Sequence, residues 1–193
     1  MTRRHLALLL IDLQEIFVRP PPAVVEAAGE LPGIHAVLER TVRLRERARD
    51  RGVPVLYTRH VFRPGLVDAP LAARDALRAR ALERGRPTAE IVAELAPSEE
   101  EAVVEKNRHD GFFGTDLAAR LRELGVRRLV VAGVVTNLCV ETTVRSAVQR
   151  DLDVTVAADC TSAPPQAHAR SLAAMADAFA VVADSPSLLL GHS

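Results

Sequence analysis

Apolar runs alternate with amphipathic stretches along almost the whole chain. Residues 6–13 (LALLLIDL) are a near-continuous apolar run, the pattern of a strand buried on both faces. Residues 53–60 (VPVLYTRH), 102–106 (AVVEK), 127–135 (RRLVVAGVV), 152–159 (LDVTVAAD) and 179–184 (FAVVAD) read as further strands. Between them, apolar residues recur at helical spacing over 34–51, ahead of Gly52 at the C-cap position. Residues 115–125 (TDLAARLRELG) open on a capping Thr115 and end in Gly125. Residues 137–150 and 164–178 read as two more helices, the second with proline in its first turn. Repeated strand–helix units predict an α/β fold: a parallel sheet with helices on both faces. The segment 64–101 breaks this rhythm. It is rich in Ala, Arg, Pro and Glu with short helical patches, and we expect a crossover that partly covers a cleft.

Composition narrows the class. With 193 residues and 48% hydrophobic content, a single globular domain over 1–193 is expected. The 25 acids balance the 25 bases, which argues against a general attraction to nucleic acid or to an anionic membrane. Arg43, Arg45, Arg47, Arg49 and Arg51 are read as the exposed face of a helix. Arg3 and Arg4 precede an apolar run, but Asp12 and Gln14 break it too early for a signal peptide. No stretch approaches the ~20 apolar residues of a membrane span, so a cytoplasmic location is expected. Two cysteines, Cys139 and Cys160, make no disulfide framework and no zinc spacing.

Candidate chemistry gathers where strands end, which is where open α/β sheets bind ligands. The first strand ends in Asp12, with Gln14 beyond it. The third ends in Lys106. The fourth runs into GVVTNLCVETT, placing Cys139 near the start of a helix, where unpaired N–H groups favour thiolate. Cys160 is read as structural. Of 25 basic residues, Lys106 alone is lysine. An ammonium is compact, and its pKa moves readily with environment. Asp12 as base, Lys106 between acid and thiol, and Cys139 as nucleophile form a coherent set. Patterns for nucleotide cofactors (GxGxxG, Walker A) and GxSxG are absent, so no cofactor is expected.

LLLIDLQ, VEKNRHDGFFGTDL, VVAGVVTNLCVETTVRSA and VAADCTSA, in that order, resemble the isochorismatase-like cysteine hydrolases over nearly the whole chain. The resemblance implies a three-layer Rossmann-like fold with a six-stranded parallel sheet, and an Asp–Lys–Cys triad falling on Asp12, Lys106 and Cys139. It also implies a cis peptide between Val134 and Val135, aiming the N–H groups of Val135 and Cys139 as an oxyanion hole. The family's nicotinamidases carry a D-x-H metal cluster after the second strand. Here that region reads YTRHVFRPG, so a nicotinamidase and a metal are both disfavoured, and His60 is read as a pocket-edge or surface residue. The family's DxQNDF is DLQEIF here, departing at Glu15 and Ile16 but keeping Asp12, Gln14 and Phe17. The TNLCVETTVRSA segment looks closest to the carbamoyl- and ureido-cleaving members.

The expected function is therefore a metal-independent cysteine amidohydrolase acting on a small carboxamide, carbamoyl or ureido compound through a thioester. Gln14, Phe17, Phe112, Phe113 and Asn137 are candidate substrate-binding residues. An isochorismatase-type vinyl ether hydrolase is the first alternative, and a non-catalytic or redox-sensing protein on the same fold is the second. Family members usually form dimers or tetramers. A homo-oligomer is thus expected, with the apolar tail SPSLLLGHS as a possible interface strip.

Overall fold

The computed structural model describes residues 5–73 and 77–188. Arg3 and Arg4, and residues 189–193 of the proposed interface strip, lie outside that range.

Six parallel strands form one sheet in the order β3-β2-β1-β4-β5-β6. They are β1 (Leu6–Ile11), β2 (Val55–His60), β3 (Ala102–Lys106), β4 (Arg128–Val134), β5 (Asp153–Ser162) and β6 (Val181–Ala183). The apolar run of β1 now has its reason. Leu8 and Leu10 point into one core cluster, while Ala7, Leu9 and Ile11 point into another on the opposite face. A central strand covered on both sides has no solvent face to leave polar.

One face is covered by α1 (Glu15–Val18), α2 (Pro22–Ala28) and α3 (Ile34–Asp50), together with the crossover and its short α4 (Leu77–Ala81). The other is covered by α5 (Leu117–Glu123), α6 (Glu141–Val148) and α7 (Pro165–Ala178). This is the expected three-layer α/β architecture. Thr115 Oγ1 accepts from the Leu117 N–H at 3.4 Å at the start of α5, and Gly125 follows its end with φ +67.

The boundaries shift in informative ways. β5 is longer than expected and contains Cys160, fully buried, instead of ending before it. Burial pushes the Cys160 thiol up to about 11. The five arginines do not share one face: Arg43 and Arg49 are exposed, Arg45 is buried, and Arg47 and Arg51, the last just past α3, are in between. Alternating positions turn 200° round a helix, so they cannot keep one orientation.

The 64–101 segment makes the return from β2 to β3 with little regular structure. It packs Leu66, Ala69, Ala79, Leu82, Val92 and Leu95 against the first face. Backbone bonds fasten it near the carboxyl end of β1: the Val92 N–H donates to Leu13 O at 3.1 Å, and the Glu15 N–H to Glu90 O at 2.9 Å. Arg59 pairs with both Glu90 and Glu105, and Arg84 with Glu105.

Candidate active site

Asp12 is the first residue past β1. Its φ of 52° puts a non-glycine residue in the left-handed region, a conformation that surrounding structure must hold in place. The turn sends its carboxylate into the interior, where the residue is fully buried. The Thr58 hydroxyl of β2 donates to Asp12 Oδ1 at 2.6 Å.

Lys106 ends β3, two strands away from β1. Strands are spaced about 4.8 Å apart, so only a long side chain crosses β2 to reach Asp12. The unbranched lysine stem does so: Nζ lies 2.6 Å from Asp12 Oδ2, with both side chains wholly buried. The same ammonium donates to Arg108 O at 3.0 Å.

Cys139 comes from β4 by a different route. The peptide bond between Val134 and Val135 is cis, and a single π-helical turn, Thr136–Val140, precedes α6. π turns recur at functional sites because they re-aim one side chain within a helix. β4 approaches β1 so closely at Gly133 (φ 125) that a Cβ there would sit 2.6 Å from Ile11 N. That contact sets β4, and hence Cys139, beside Asp12. The charges of Lys106 and Asp12 both act on the buried thiol. Three residues remote in sequence thus converge at the carboxyl ends of β1, β3 and β4.

Charge in this cluster is set by competition. Burial alone would raise the Asp12 carboxyl, but the Lys106 ammonium, helped by the Thr58 hydroxyl, outweighs it and holds the group below its ordinary value. Burial would lower Lys106, and the Asp12 carboxylate more than reverses that. Cys139 goes the other way. Burial pushes its thiol up to about 12, with Lys106 only partly opposing the shift. Burial thus works against the thiolate that a helix start favours, and the thiol stands beside a carboxylate that can accept its proton.

Two histidines complete the cluster. His60, expected at a pocket edge or on the surface, is 6% exposed. Its Nδ1 lies 3.5 Å from Lys106 Nζ, and burial followed by the Lys106 charge lowers its pKa to about 3. The correction has a simple cause: His60 pairs directly with Lys106 in the β2–β3 register. His109, which the sequence reading passed over, places Nδ1 3.4 Å from Cys139 Sγ. Its loop is tied to α6 by Gly111 N–H to Thr143 Oγ1 at 2.9 Å and Ser146 Oγ to Asp110 Oδ2 at 2.8 Å. The available signal was its place three residues after the lone lysine. One ligand atom each from His60, His109 and Cys139 lies within 4.8 Å of the others, a set with donors for a soft metal ion. The Lys106 ammonium beside His60 opposes a cation there.

The candidate substrate residues separate. Gln14 is buried, and its amide is committed to backbone: Nε2 donates to His60 O at 2.9 Å and Ala89 O at 2.7 Å, and Oε1 accepts from His60 N at 2.9 Å. It positions His60 and the crossover, with no group left over for a substrate. Phe17 is buried in the first core beneath the Arg78 guanidinium. Phe112 packs under Arg150, beside a cleft shared with Leu121, Arg127 and Leu152 at the amino ends of the strands. Phe113 is exposed near Arg108. Asn137 Oδ1 is buried with no hydrogen-bond partner among the described residues.

The relatives of this chain fit the geometry. Over 170 residues it is 30% identical to a ureidoacrylate amidohydrolase from Caulobacter vibrioides, covering 80% of this chain and 76% of that protein. It is 37% identical over 143 residues to the streptothricin hydrolase of Streptomyces noursei, covering 74% of this chain but only 44% of that longer protein. Among solved structures, a cysteine hydrolase from Pseudomonas syringae superposes with a TM-score of 0.88 at 26% identity, covering 97% of this chain and 92% of the other. An N-carbamoylsarcosine amidase from Thermoplasma acidophilum shares the fold, with a TM-score of 0.76 at 22% identity over 96% and 99% of the two chains. Residues 6–187 match the isochorismatase domain, and the chain therefore belongs to the isochorismatase family of hydrolases.

Proposed function

We propose that this protein is a cysteine amidohydrolase cleaving a small carboxamide, carbamoyl or ureido C–N bond without a metal. The observation that carries the reading is the wholly buried Asp12–Lys106 pair at 2.6 Å, whose charges act on the buried Cys139 thiol. A buried ion pair contributes little net stability over an apolar pair of the same shape, so a chemical role explains it better than a structural one. The 30% identity to a ureidoacrylate amidohydrolase supports the substrate class.

The reaction begins with Cys139 Sγ attacking the carbonyl carbon as the thiol proton passes to the Asp12 carboxylate. Coupling the two steps answers the raised thiol pKa, since free thiolate is never needed. Lys106 holds Asp12 ionised beforehand and balances charge afterwards. The carbonyl oxygen becomes an oxyanion, with the backbone N–H groups of Val135 and Cys139 as its donors. The C–N bond breaks as Asp12 returns its proton to the departing nitrogen, leaving a thioester. Water then attacks, Asp12 takes its proton, and the C–S bond breaks to release the acid and restore the thiol. In this scheme the crossover rim at Asp68, which accepts from Asn107 Nδ2 at 3.1 Å and Arg108 Nη1 at 2.8 Å, partly covers the substrate.

Ammonia release tests the scheme. Wild type and Cys139→Ala would be assayed against carbamoyl, ureido and simple amide compounds, with and without chelator. Turnover that survives chelation and drops by at least ~10³-fold in the variant is expected for a covalent nucleophile. Equal rates in both proteins would remove Cys139 from that role. Isochorismate turnover without ammonia from any amide would favour the vinyl ether chemistry instead.

A further inference from the structure

His60 has no part in the scheme above, yet its placement is costly to explain as packing. It is a polar side chain 94% buried, given its 6% exposure, and its Nε2 has no hydrogen-bond partner among the described residues. Buried polar atoms are almost always paired, so an orphan beside a nucleophile points to a ligand. The other ring nitrogen decides what Nε2 is. Nδ1 faces the Lys106 ammonium at 3.5 Å, and an ammonium has only donors. Nδ1 therefore carries the lone pair, and the single proton of the neutral ring sits on Nε2.

Several elements hold this state. His60 N–H and C=O are both clamped by the Gln14 amide. Phe62 packs edge-on against the ring, with centroids 4.9 Å apart, and His109 stands 6.0 Å away in a T-shaped arrangement. The charged and titratable groups facing the ring are Lys106, Asp12, His109, Arg108 and the Cys139 thiol. Burial and Lys106 depress its pKa most, and only Asp12 raises it. A ring nitrogen lies within 4.8 Å of Cys139 Sγ, so the imidazole stands against the atom that would attack the substrate.

We propose that His60 is a substrate-binding donor, giving its Nε2–H to a carbonyl-type oxygen of the substrate beyond the one held by the oxyanion donors. The substrate class this selects is a ureide or amide carrying a second carbonyl near the scissile nitrogen. This rests on the amidohydrolase reading for its catalytic meaning, but the hydrogen bond itself can be tested without turnover.

The experiment uses the full-length Cys139→Ala protein labelled with ¹⁵N-histidine, with biuret as the probe because it is the smallest ureide with two carbonyls. In the free protein, NMR is expected to show His60 as the Nε2–H tautomer and neutral from pH 5 to 8. Adding biuret should shift the Nε2 proton, and acetamide, with one carbonyl, should shift it less. His60→Leu should weaken biuret binding by at least ~10-fold, and His60→Gln, whose amide reaches a similar point, should restore most of it. An Nδ1–H tautomer, a titration near the ordinary histidine value, or an unmoved Nε2 proton on adding biuret each overturns the inference, whether biuret stays free or binds elsewhere. Ammonia release by wild type alongside any of these results would leave the amidohydrolase reading standing.

Discussion

Lys106 shows how much one residue can carry. Its status as the chain's only lysine was legible in the sequence, and its role follows from shape: a thin stem must pass β2 and end in a compact cation. Lys106→Arg keeps the charge but forces a planar fork into a wholly buried site. We expect activity to fall by at least ~10²-fold, with ~1–3 kcal/mol of stability lost to overpacking. Steady-state assays and urea melts would show both. Lys106→Met removes the charge, leaves Asp12 buried and unpaired, and should cost ~3–5 kcal/mol. The state of Cys139 was not legible. Position near a helix start suggested thiolate, and complete burial works against that, because a thiolate loses more solvation than one ammonium returns. The rate profile follows from the directions of these shifts. Asp12 is held ionised below its ordinary range and His109 below the ordinary histidine value. Any acid limb in the profile of kcat/KM should therefore lie below pH 6.5. A limb centred near pH 6.5 would mean that an imidazole must be deprotonated for catalysis.

At the scale of elements, the strands were the most readable part, because two-sided burial demands unbroken apolar runs. β3 was predicted at its observed limits, 102–106. The connections were less readable, since their structure depends on what they pack against. Gly133 is the example. In sequence it is a glycine inside a strand; in the fold it is where β4 nearly touches the Ile11 backbone. Gly133→Ala is expected to displace β4 from β1 and cost at least ~3 kcal/mol or prevent folding. Circular dichroism melts would measure this, with Leu9→Ala on the same strand pair as a reference at ~2–5 kcal/mol. A Gly133→Ala protein as stable as wild type would show that β1 and β4 do not approach as described. Gln14 belongs to this scale too: a motif residue read as a substrate contact is the fastener between β1, β2 and the crossover.

For the whole molecule, the buried histidine makes stability depend on pH. His60 has a folded pKa of about 3 against an ordinary value of 6.5. Below 6.5 the unfolded chain binds a proton that the folded one does not, so stability is full above that value. It is lost progressively as pH falls from 6.5 toward 3. His109 and His168 shift in the same direction. The lowered carboxylates, Asp12 among them, withdraw their contribution only below the ordinary carboxylate range. Between pH about 7 and 4.5 the histidines therefore dominate, and His60→Gln should flatten the fall in urea midpoint over that interval. An equally steep fall in the variant would mean that His60 is not neutral in the fold.

The order of apolar runs determined by itself that the sheet would be parallel and covered on both faces, because burial acts on each strand locally. The rarity of lysine and the residues at strand ends were enough to pick Asp12, Lys106 and Cys139. Only the tertiary structure decided how protons are distributed among them, that His60 and His109 stand at the thiol, and that the Gln14 amide is committed to the scaffold. Those outcomes turn on distance, register and loss of solvent between residues far apart in the chain, and a linear sequence does not specify such quantities until the strands are side by side.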